Sequence, residues 1–127
     1  NAVAPRKRPR SSMAPKLVLD QDGKLFAIEG SPGGSRIIAY VAKTLIGLID
    51  WKLGMQAAID LPTHTNRNGW TELEKGTQLV KYVDALRGLG HNVRIRTLPS
   101  GLHGIRVTPR GYDGGADRRR EGIALGD

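Results

Sequence analysis

The sequence predicts an α+β fold with a mainly antiparallel sheet. Three observations carry that prediction. Strand-like runs and helical runs fall in the order β-β-α-α-β-α, followed by further strands, rather than in strict βα alternation. Asp20-Gln21-Asp22-Gly23 is a hairpin turn between the first two strand-like runs. Two segments, 35–53 and 77–89, carry apolar residues at helical spacing.

Taken in order, segment 1–15 holds three prolines and reads as an extended loop. Lys16-Leu17-Val18-Leu19 is a strand, and Lys24–Glu29 is its return strand. Leu17 and Leu19 share one face and Val18 takes the other, so both strands are expected to be buried on both sides. The main helix is expected at about Ser35–Leu53. Ile37, Ile38, Val41, Leu45, Leu48 and Ile49 follow its period, and Tyr40, Ile46, Trp51 and Leu53 widen the apolar stripe almost to a full circle. Such a helix is buried all round, and this chain is small for that task. Gly54 is expected to end it. Met55–Asp60 is a short helix stopped by Leu61-Pro62, 63–69 is a polar loop, and Thr71–Glu74 is a short strand. Helix 77–89 turns Leu79, Val80, Val83, Leu86 and Leu89 inward and stops at Gly90. His91–Leu98, His103–Thr108 and Tyr112–Ala116 close the chain as strands ahead of a charged tail.

The stretch Glu29-Gly30-Ser31-Pro32-Gly33-Gly34-Ser35-Arg36 joins a strand to the start of the main helix. A helix N-terminus offers unpaired N–H groups and a partial positive charge. Adjacent glycines admit φ > 0 and a close approach to a ligand. The stretch therefore suits a phosphate, a carboxylate or an acyl-transfer oxyanion. It equally suits a plain tight turn with Ser35 as N-cap. Neither nucleotide-binding pattern, G-x-x-x-x-G-K-[ST] or G-x-G-x-x-G, is present. Ser11 and Ser12, after the basic Pro9-Arg10, could likewise bind an anion or form a local turn.

Several function classes find no support. The net charge is +8, and the two basic clusters, at 6–10 and 118–120, lie near the ends without interleaved aromatics. A basic rim or an acidic partner explains the charge as well as nucleic acid does. Cysteine is absent, which removes disulfides, zinc thiolates and cysteine nucleophiles. His64, His91 and His103 lack metal-ligand spacing, and G-x-S-x-G is not met. No stretch reads as a signal peptide or a membrane span.

Ser11-Ser12-Met13 together with Gly30–Arg36 resembles the γ-glutamyltransferase (γ-glutamyltranspeptidase) family. The resemblance extends over segment 7–15, Ala57–Pro62, Thr71–Gly76 and Gly114–Gly122, and so over essentially all 127 residues. It implies a piece of an N-terminal-nucleophile hydrolase, with stacked αββα layers, cut from one precursor into a large and a small subunit. A threonine nucleophile would attack the γ-glutamyl amide of glutathione, and the acyl group would pass to water, an amino acid or a peptide. The resemblance implies that Gly33 and Gly34 form the oxyanion hole and that Ser11 and Ser12 hold the substrate α-carboxylate. No metal or cofactor is implied. Partners would be γ-glutamyl compounds and the remainder of the precursor, in the periplasm or outside the cell. Position 1 is Asn, so the 127 residues are read as the C-terminal portion of the small subunit, lacking the nucleophile and inactive alone. Segment 63–67 departs from the family pattern and gains no role. A structural or partner-binding remnant of the family, or a basic nucleic-acid-binding module, are the competing classes.

Overall fold

The computed structural model describes residues 2–126. The expectation attached to Asn1 lies outside them. From the N-terminal segment the chain enters β1 (Lys16–Leu19), turns at Asp20–Gly23 and returns as β2 (Leu25–Gly30). Asp20 organises the turn, its carboxylate accepting the Asp22 and Lys24 N–H groups at 2.9 Å. A 3₁₀ turn, Gly34–Arg36, leads into α1 (Ile37–Ile49) and then α2 (Met55–Asp60). After β3 (His64–Asn66) and β4 (Thr71–Glu74) come a 3₁₀ stretch, Gln78–Tyr82, and α3 (Val83–Gly88). The chain ends in β5 (Val93–Arg96), β6 (His103–Thr108) and β7 (Gly111–Ala116).

Two sheets result. The larger has the order β1-β2-β6-β7 and is antiparallel throughout. The smaller has the order β3-β4-β5, with β3 antiparallel and β5 parallel to β4. The parallel pair needs a crossover, which the 3₁₀ stretch and α3 provide. The fold is α+β and mainly antiparallel, as the residue pattern predicts.

Helix α2 lies on β7 and is held there by polar contacts. The Met55 N–H donates to Asp113 Oδ2 at 2.9 Å, and the Gln56 amide exchanges two 3.0 Å bonds with the backbone of Ala116. A Cβ on Gly115 would stand 2.9 Å from Gln56 N, so only glycine admits the helix at this distance. Ile37, Tyr40, Val41 and Leu48 of α1, Met55 and Ile59 of α2, and Ala27 and Leu102 form the core between helices and sheet.

Four expectations are corrected. β1 and β2 are not buried on both sides: Leu17 is 72% exposed and Ile28 is 41% exposed, because no element among the described residues covers that face. Helix α1 is not buried all round either, since Ile38, Ile46, Ile49 and Trp51 are exposed. It ends at Ile49, and the left-handed residue after it is Lys52 (φ 56), whereas Gly54 is extended and opens α2. Segment 77–89 is a 3₁₀ stretch plus a single short α-helix, with its apolar residues only half-buried and Leu89 exposed.

Candidate functional site

The glycine turn between β2 and α1 has the backbone that its sequence demands. Gly33 has φ 143 and Gly34 has φ 58, both in the region that side chains resist. A Cβ on Gly33 would meet Tyr40 Cε2 at 2.6 Å, whereas one on Gly34 would meet nothing within 4 Å. Among the described residues, no acceptor is paired with the N–H of Gly33 or Gly34. The turn is pinned from outside. Ser31 Oγ accepts the Gly101 N–H at 3.2 Å, and the Pro32 ring packs where a Gly101 side chain would stand. Ser35 is not a helix cap: α1 has no side-chain cap, and Ser35 Oγ accepts from Arg67 Nη1 at 2.6 Å.

Ser11 and Ser12 are separated by their surroundings. Ser11 is exposed, and its Oγ accepts the Met13 N–H at 3.2 Å in a local turn. Ser12 is half-buried and lines a polar cavity of about 430 Å³ with Arg10, Ser35, Ile38, Arg67, Gly69, Trp70 and Arg94. The structure thus brings Ser12 to the foot of the glycine turn through Ser35, while Ser11, Gly33 and Gly34 lie outside that cavity lining.

Behind the turn stands Glu72, a residue to which the sequence analysis gives no role. It is 1% exposed, on β4, and Arg36 grips it through Nε at 2.6 Å and Nη2 at 2.9 Å. Arg94, facing it in register on β5, donates to the same carboxylate and lies over the Trp70 ring at 5.5 Å. The Arg36 bonds, aided by Arg94, outweigh burial and hold the Glu72 carboxyl down to about 2. Arg36 follows the turn directly, so this pair fixes the start of α1 to the smaller sheet. A second buried network supports the loop that pins the turn. Asp117, 0% exposed, accepts from Ser100 Oγ and from the Leu102 and Arg119 N–H groups. Burial pushes its carboxyl up, but these bonds prevail and leave it below the usual range. Arg119 also donates to Glu74 and to the Leu61 carbonyl.

Two of the histidines make structural hydrogen bonds. His91 Nδ1 shares a 2.9 Å bond with Thr71 Oγ1, and His103 Nδ1 donates to the Gly101 carbonyl at 3.2 Å. Segment 63–69 is not a plain loop, because β3 forms within it. Among the described residues, no group of three His, Cys, Asp or Glu side chains could hold a metal ion. No helix is long and apolar enough to cross a membrane.

The family description Gamma-glutamyltranspeptidase matches residues 1–127. The chain belongs to that family. The glutathione hydrolase proenzyme of Escherichia coli K12 is similar to this γ-glutamyltranspeptidase chain, with 36% identity over 123 residues covering 94% of the chain and 21% of that relative. The acylase ACY 1 proenzyme of Pseudomonas sp. SE83 is 33% identical over 116 residues, covering 91% of the chain and 20% of that relative. An acivicin-inhibited γ-glutamyltranspeptidase has a similar structure. Its TM-score is 0.85 at 31% identity, over 95% of this chain and 67% of that one. The chain spans about a fifth of the length of these curated relatives. Its α+β fold is that of the γ-glutamyltranspeptidase N-terminal-nucleophile hydrolases.

Proposed function

We propose that this chain supplies half of the active site of an enzyme that cleaves the γ-glutamyl amide of glutathione. The acyl group passes through an acyl-enzyme to water, an amino acid or a peptide. Gly33 and Gly34 stabilise the oxyanion, and Ser11 and Ser12 hold the α-carboxylate. The nucleophile and the rest of the substrate pocket come from the remaining small-subunit segment and the large subunit of the same precursor. The family resemblance supports a periplasmic or secreted enzyme. The observation that carries the reading is the glycine turn: two consecutive positive-φ glycines at a helix start, with N–H groups that no acceptor among the described residues takes. Such donors act on charge that develops in the transition state.

In the complete enzyme Gly34→Val tests the turn, because a Cβ at this position meets nothing within 4 Å in this chain while φ 58 resists a side chain. A β-branched residue resists φ 58 and re-aims the donors. The expected outcome is a loss of about 10²–10³-fold in kcat, with KM changed less. Ser11→Ala with Ser12→Ala should instead raise KM, since each lost charge-assisted bond is worth about 1.5–3 kcal/mol. A folded Gly34→Val enzyme with wild-type kcat removes Gly34 from the oxyanion hole. The similarity to an acylase supports a second reading, the same chemistry on another acyl amide. It replaces the first if a γ-glutamyl anilide is not turned over and an acyl amide is.

A further inference from the structure

Beside Ser12, several arginines converge on one buried carboxylate. Four guanidinium groups, those of Arg36, Arg67, Arg94 and Arg96, lie within 4 Å of the single carboxylate of Glu72. Arg36 and Arg94 together give that carboxylate four N–H donors, three on Oε1 and one on Oε2. Arg67 stands 3.8 Å away and gains Coulomb attraction without a hydrogen bond. Its Nη1 donates to Ser35 Oγ, and its remaining N–H groups hold no acceptor among the described residues. Arg67, Arg94 and Arg10 line the cavity with the hydroxyls of Ser12 and Ser35, and among the described residues no carboxylate lines it. Trp70 supplies a flat wall, with the Arg94 guanidinium held over its ring.

A guanidinium presents two parallel N–H groups at the spacing of carboxylate oxygens. Resting on the γ-glutamyl reading above, the geometry points to a subsite in this cavity for a second carboxylate, carried on the leaving group or on the acceptor, with Arg67 as its principal ligand. The γ-glutamyl α-carboxylate stays with the serine pair. The second carboxylate lies against Arg67 and Ser35, beyond the glycine turn. The enzyme then selects acidic donors or acceptors over neutral ones of the same shape.

The test uses the complete protein that contains this chain. One arm compares a γ-glutamyl-4-nitroanilide with its 3-carboxy derivative as donors. The other compares glycylglycine with its amide as acceptors. Arg67→Gln should lower the ratio of kcat/KM for the carboxylated over the neutral partner by roughly 10–100-fold in one arm, the value of one charge-assisted pair. The arm that responds identifies whether donor or acceptor carries the group. Arg67→Lys, which keeps the charge but not the paired N–H groups, should keep only part of the ratio. An unchanged ratio in both arms for Arg67→Gln overturns the subsite. Absence of turnover with every donor overturns the γ-glutamyl reading instead. The subsite is then judged by titrating citrate against thermal unfolding. A rise in Tm that Arg67→Gln abolishes supports it, and no rise in the wild type overturns it.

Discussion

Glu29 sits on β2 one residue before the glycine turn begins, 4% exposed, and neither of its carboxylate oxygens has a hydrogen-bond partner. The nearest hydroxyl, Thr44 Oγ1, donates to the Tyr40 carbonyl at 3.2 Å. Burial pushes the Glu29 carboxyl up to about 7, and the charges of Lys43 and Lys16 together with Thr44 offset this only in part. Lys43 is driven the other way, down to about 8, chiefly by burial and then by the Arg119 charge. The sign follows from proton counting. Between about 4.5 and 7 the folded state holds a Glu29 proton that the unfolded state has lost, so stability falls as pH rises through that window. Lys43 adds a cost below about 8 that fades as pH climbs toward 10.5. Glu29→Gln should therefore raise the Tm of the complete protein at pH 7.5 and leave it nearly unchanged at pH 4.5. Equal Tm gains at both pH values would remove Glu29 titration as the cause. The Gly33-Gly34 turn was legible because its residues are neighbours and glycine pairs speak for local backbone. Glu72 was not. Its partner Arg36 lies 36 positions away, and no local pattern links a strand carboxylate to an arginine on another element.

Helix α1 stops without a glycine. The Trp51 N–H returns to the Ile46 carbonyl at 3.2 Å and the Leu53 N–H to the Gly47 carbonyl at 2.9 Å, with Lys52 left-handed at φ 56 between them. A side chain there costs about 1–2 kcal/mol, and a glycine returns about 0.4–1 kcal/mol of that as unfolded-chain entropy. Lys52→Gly should stabilise the protein by about 0.5–1 kcal/mol, since the Lys52 side chain is exposed. Denaturant unfolding measures it, with Lys52→Ala as the control that keeps the strain and gains nothing. The sequence reading located the helix but placed its end at the nearest glycine, because a strained lysine leaves no mark in composition. Segment 77–89 misled for a related reason. Its apolar spacing fits an α-helix, but Thr77 caps a 3₁₀ turn, accepting the Leu79 N–H and donating to the Glu74 carbonyl. The tighter turn brings the chain back beside β4 for the parallel pairing with β5. Strand β3 escaped notice because three polar residues carry no periodicity, and its identity as a strand comes wholly from pairing with β4.

Among the described residues, exposed apolar side chains form two groups on the helix and sheet faces. One is the outer stripe of α1. The other is a row across the larger sheet, where Leu17, Ile28 and Ile105 stand side by side in register and Val107 pairs with Tyr112. Contiguous exposed apolar faces are the kind of surface against which another layer packs. The 127 residues purified alone should accordingly bind a hydrophobic dye and release no nitroaniline from a γ-glutamyl anilide. Turnover by the pure chain would show that its residues suffice for the chemistry. The pairing of Ile28 with Ile105 carries one more consequence, for the order in which the chain is made. About 75 residues separate β2 from β6, the strand that completes its hydrogen bonding. A ribosome adding about 5–20 residues per second needs roughly 4–15 s to cross that gap. Throughout that interval β2 has only β1 beside it, and its other edge is an open template for strands of neighbouring nascent chains. Strand β6 therefore acts late in biogenesis as the element that closes the edge.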